Sequence, residues 1–142
     1  MPDLNSLKPA EGSSLSRAYA ESPKTTKMFG LDNNLAAVMA YAPLFPINLI
    51  ACGVWLYYEP RNNRFLRFCS MQAIGLAASY VVIWIAASML AVLPLIGPML
   101  SGLILAVAGL TYLIGSIYLL INAHKGEIVS LPFIGPIVES NT

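Results

Sequence analysis

Charge is what this sequence has least of. Charged residues make up 11% of its 142 residues, against about 25% in an average soluble domain. So little charge cannot coat a water-facing surface, which excludes an ordinary soluble globule. None of the charges falls between Asn33 and Tyr58, and none between Phe68 and His124. A net charge of +1 excludes the broad basic footprint of a nucleic-acid binder. There are two cysteines, Cys52 and Cys69, with no CxxC spacing and no metal-ligand neighbours, so a zinc site or disulfide framework is not expected. The single histidine, His124, lacks the partners that a general base or metal centre requires. No GxSxG, HExxH or phosphate-loop pattern occurs. No catalytic, cofactor-binding or metal site is therefore expected, and the chain is read as non-enzymatic.

What the sequence has in excess is apolar residues, 57% of the total. A membrane-crossing helix needs about 20 of them in succession. The first uncharged stretch has room for one crossing and the second for two. The spacing predicts an all-α integral membrane bundle with about three transmembrane helices, over roughly 35–58, 69–93 and 99–123. Pro43 and Pro46 interrupt the first, because each removes a backbone donor. A kink is expected there, or a short helix ahead of the true span. Pro94, Gly97 and Pro98 make a tight uncharged turn, so the second and third spans form an antiparallel hairpin. Residues 1–30 are polar, with mixed charge and Ser, Pro and Lys, and read as a mobile tail with a short helix around Leu15–Ala20. Residues 31–142 form the transmembrane domain. The run 128–138 is apolar but half the length of a span, and is expected at the interface. No secretory signal peptide is expected.

Lysine and arginine orient such a chain, because they accumulate on the cytoplasmic side. With three crossings, Arg61, Arg64, Arg67 and Lys125 share one side and Lys24, Lys27 and more distantly Arg17 the other. The imbalance favours a cytoplasmic arginine loop and C-terminus. A first stretch that fails to cross would put both ends in the cytoplasm.

Two groups of residues stand out. Arg61, Arg64 and Arg67 recur every three positions, as a topology anchor on lipid phosphates or as a docking site for anionic lipid or a partner. Gln72 lies one turn inside the second span and is expected to bond another helix or a loop carbonyl. Lys125, Gly126 and Glu127 follow the third span, with Gly126 as its terminator. Small residues also recur: Gly75 and Ser79 on one helix, and Gly102, Ala106, Gly109 and Ser116 on the other. Such spacing lets helices approach closely, either within the chain or in self-association.

The segments VWLYYEP (54–60), NRFLRFCSMQAIGL (63–76) and NAHKGEIVSLPFIGPIVE (122–139) together resemble the Tic20-like family of small integral membrane proteins. Arg64, Phe65, Arg67, Phe68, Gln72, Ala73, Lys125, Gly126 and Glu127 carry the resemblance, while Cys69 stands where many relatives have His or Asn. The resemblance implies a helical membrane protein that works through partners. Its plant members belong to a chloroplast import translocon. Some bacterial relatives resemble proteins of specialised membranes such as magnetosomes. The function expected is an interaction or assembly subunit of a membrane complex, with a translocation-pore component as the alternative. The expected partners are lipids and other membrane proteins or further copies, and the expected location is a bacterial inner membrane or one derived from it.

Overall fold

A computed structural model describes residues 20–131 and 133–141. Among these the regular structure is helical: α1 (Asn33–Tyr41), α2 (Ile47–Tyr58), α3 (Arg64–Leu90), α4 (Gly97–His124) and α5 (Gly135–Asn141). This is the all-helical bundle expected of a membrane protein. Asp32 starts α1 by accepting from the Asn34 amide at 3.0 Å, and Asn63 starts α3 by accepting from the Leu66 amide at 3.4 Å. Each supplies an oxygen to amides that lack a helical partner. Asn63 explains why α3 begins five residues before the expected span.

α3 and α4 are each long and apolar enough to cross a bilayer, at about 40 Å apiece. Of their most apolar eighteen-residue windows, 17% and 11% are buried. A core helix of a soluble protein would hide that face, so these helices need lipid around them.

The first apolar stretch differs from the single kinked span expected over 35–58. It is two short helices that fold back on each other. The Cys52 thiol reaches the Ala40 carbonyl at 3.7 Å, though these residues would lie about 18 Å apart along one helix. Asn33 and Glu59, at opposite ends of the stretch, both bond Asn63. The chain thus enters and leaves at the same end of the bundle. The reversal, residues 42–46, suits the surroundings. Proline has no N–H, so Pro43 and Pro46 leave two fewer donors to satisfy away from water. The Leu44 and Asn48 amides are bonded to the Ala42 and Leu44 carbonyls at 2.7 and 3.1 Å. The prolines do interrupt the stretch, as expected, but they turn the chain round.

The core sits where α1, α2 and the first half of α3 meet the last turns of α4. Tyr41, Trp55, Phe65, Phe68 and Leu119 are buried there with Val129. In the other half of the α3–α4 hairpin the buried residues are the small Ala87, Gly97 and Ser101. Of the expected polar tail, residues 20–30 lie against the core end. The short helix around Leu15–Ala20 lies outside the described residues except at Ala20.

Candidate functional site

The polar residues gather at the end of the bundle where α1 and α3 start and α2 and α4 finish. Their centre is a pair of buried amides. Asn33 Nδ2 donates to Asn63 Oδ1, and Asn63 Nδ2 donates to Asn33 Oδ1, both at 3.0 Å. Each amide nitrogen has a second hydrogen, and both are used. Asn63 Nδ2 donates to Glu59 Oε2 at 2.9 Å, and Asn33 Nδ2 donates to the Pro23 carbonyl. The other Glu59 oxygen accepts from the Lys27 amide at 2.8 Å, and Ser22 Oγ accepts from the Phe65 amide at 3.2 Å. Glu59, Asn33 and Asn63 are all buried. A buried polar group is costly unless partnered, so this set clamps the segment 22–33 across the 59–65 loop. Spacing along the chain offered no sign of it, since its members come from three separate segments.

The arginine triplet does not act as one face. Arg67 turns inward and its Nη1 donates to the Leu56 carbonyl at 3.0 Å, satisfying an acceptor at the end of α2. Arg61 and Arg64 are exposed. Gln72 is wholly buried, and its Nε2 donates to the Val129 carbonyl at 2.8 Å, holding the segment after α4 against α3. Gly126 takes a φ of +74°, the left-handed conformation that ends helices. The Asn34 side chain donates to the adjacent His124 carbonyl at 3.3 Å. Lys125 and Glu127 are exposed at this same end.

The small residues separate into different surroundings. Ile134 lies directly over Gly75, where an added Cβ would come within 2.7 Å of its Cγ2. Gly75 therefore seats the apolar segment 128–138. Ser79 donates to the Gly75 carbonyl of its own helix at 2.9 Å. Gly109 faces the Tyr80 hydroxyl, and Ser116 is buried. Gly102 and Ala106 are exposed, with nothing within 4 Å of a Cβ placed on Gly102. A Gly75→Leu substitution is expected to lift the 128–138 segment, because a branched side chain needs the room Ile134 fills. Limited proteolysis in detergent checks this: cleavage after Gly126 should quicken several-fold while α3 and α4 stay protected.

Halfway along the hairpin, Asn48 Nδ2 donates to the Tyr112 hydroxyl at 3.4 Å. The Tyr112 ring packs on Tyr80 at 5.2 Å. Beside them an apolar groove of about 580 Å³ opens between α3 and α4, lined by Leu76, Tyr80, Ile83, Val107 and Tyr112. Asn48 and Gln72 thus both contact other parts of the chain.

The magnetosome magnetite crystal formation protein family, MamF/MmsF, matches residues 31–138. The chain belongs to this family. The match runs from the residue before Asp32, the cap of α1, to the buried Val138, and so takes in the re-entrant hairpin, both long helices and the seated segment. No curated protein and no solved structure matches the chain. Membership of MamF/MmsF overturns the resemblance to the Tic20-like family. Four of the residues that carried that resemblance, Phe65, Phe68, Gln72 and Ala73, are the buried face of α3. They record how the helices pack.

Proposed function

We propose that the chain serves magnetite crystal formation as a non-enzymatic component of the membrane that encloses the crystal, acting through lipid and neighbouring membrane proteins. The observation that carries this is the family match over residues 31–138. The architecture supports it. The buried Asn33, Glu59 and Asn63 at the core end hold segments of the fold together, and the hairpin carries long lipid-facing surfaces.

The fold-back of α1 and α2 also supports an orientation. Lys24, Lys27, Arg61, Arg64, Arg67 and Lys125 all lie at one end of the bundle, while the turn at residues 91–96 carries no charge. Among the described residues the count is six against none, which favours a cytoplasmic charged end by the positive-inside rule. Cysteine labelling with an impermeant maleimide in a heterologous bacterial host tests this, since Cys52 and Cys69 are buried. Leu95→Cys is expected to label in intact cells and Asn62→Cys only after permeabilisation. The reverse pattern overturns the orientation.

For the function, the gene is placed in a magnetite-forming bacterium lacking its own family member, and crystal dimensions are read by electron microscopy. Restored dimensions, with the protein in the membrane fraction around the crystals, are expected. Full membrane delivery without any change in the crystals counts against the proposal.

A further inference from the structure

The bundle has very different widths in its two halves. α2 is about 18 Å long, against about 40 Å for α3 and α4. The re-entrant hairpin reaches only to the level where Asn48 meets Tyr112. Above that level α3 and α4 are joined by α1 and α2, and by Val129 and Ile134, which meet Gln72 and Gly75. Below it, Val82, Trp84, Met89, Met99 and Leu103 of α3 and α4 are exposed among the described residues, and the contact of the two helices buries small residues such as Ala87 and Ser101.

The extra bulk lies inside the bilayer. The outward faces of α1, α2 and their junction carry Leu35, Met39, Leu44, Phe45, Ile47 and Ile50, all exposed. Such faces require hydrocarbon around them. A hairpin that begins level with exposed Arg61 and Arg64 and ends near the middle of α4 occupies one leaflet. That leaflet therefore accommodates several segments of protein where the opposite one accommodates two helices.

We propose that the chain is a membrane wedge that selects curved bilayers, its partner being a lipid surface whose charged-end leaflet is convex. Inserting bulk into one leaflet spreads that leaflet relative to the other, and a bilayer already bent that way lowers the cost. The wedge follows from the chain's own shape. Its cellular meaning rests on the orientation proposed above. A membrane drawn inward from the cell envelope, as the magnetosome membrane is, turns its cytoplasmic face outward and convex. The chain would be enriched there and would favour that curvature.

The test is reconstitution into vesicles of one lipid composition and a wide range of diameters. Labelled protein is counted vesicle by vesicle, and orientation is read by protease access to the charged end. For molecules with the charged end outside, density is expected to rise on the order of threefold from large to small vesicles. Molecules in the opposite orientation should show the inverse trend, which a size artefact cannot produce. The combined variant Leu44→Ala, Phe45→Ala, Ile47→Ala and Ile50→Ala trims the wedge at exposed positions and should flatten both trends. Densities independent of diameter in both orientations overturn the proposal, as does a variant that folds and keeps the full preference. The assay contains no mineral, so its failure leaves the role in crystal formation standing, and the reverse holds too.

Discussion

Replacing Asn63 by alanine is expected to destabilise the protein by about 3 kcal/mol. Three contributions add at this residue. It is wholly buried, and its oxygen caps α3 through the Leu66 amide. Loss of such a cap costs about 1 kcal/mol. It also takes part in both hydrogen bonds of a reciprocal amide pair with Asn33, and it donates to Glu59. Removing it leaves Glu59 Oε2 and Asn33 Oδ1 without that donor in a site closed to water, and stranded buried groups cost about 1–3 kcal/mol each. Thermal unfolding in a mild detergent reads the effect. Asn62→Ala, one position earlier and exposed, should be close to neutral. Asn33→Ala should be damaging, but the double variant should cost less than the sum of the two, because the residues share their hydrogen bonds. Additive losses would mean that the pair does not act as a unit.

The clamp at Asn63 also explains which parts of the fold were open to sequence reasoning. The α3–α4 hairpin was legible because its evidence is local. A charge-free stretch, two prolines and a glycine suffice to place two crossing helices and their turn. Gly126 was legible for the same reason, as a residue tied to a helix end. The reversal between α1 and α2 was not. Pro43 and Pro46 are compatible with a kink in one span or with a fold-back, and composition is the same in both. What decides between them is Asn33 pairing with Asn63, a contact between residues far apart in the chain whose types are unremarkable singly. Orientation depends on this step. Counted along a three-span chain the basic residues nearly balance, and counted on the folded one they lie together.

The family was harder still to read, and the reason lies in α3. Arg67, Phe68 and Gln72 meet needs that any similar bundle has: an acceptor at the end of a short helix, a filled core and a tethered carbonyl. A pattern built from such residues identifies an architecture. The match across residues 31–138 draws on the whole domain, and so distinguishes families that share that architecture.

Gly97→Ala is expected to cost about 3 kcal/mol, at the upper end of overpacking effects, although alanine is the better helix former. Gly97 opens α4, and a Cβ there would collide with the Leu90 carbonyl oxygen and lie 3.0 Å from Leu93 Cβ. The first of these atoms is backbone at the end of α3, so relief requires moving one helix relative to the other. The turn has little slack to absorb that. Leu95 already holds a left-handed φ of 69°, and the Gly97 amide is bonded to the Leu93 carbonyl at 3.1 Å. Gly102→Ala, five residues further along the same helix, makes the opposite case. Open space surrounds its Cβ position, so the gain in helix propensity, about 1 kcal/mol, meets no packing cost within the chain. Comparing the two by thermal unfolding in detergent separates close packing from the mere presence of glycine. A large loss at Gly97 beside a neutral or stabilising change at Gly102 is the expected result. Equal effects at the two positions would show that the hairpin tip yields more easily than its contacts imply. The shape of the narrow half, two helices in close contact at Gly97 and Ala87, would then need revision, and with it the basis for a wedge.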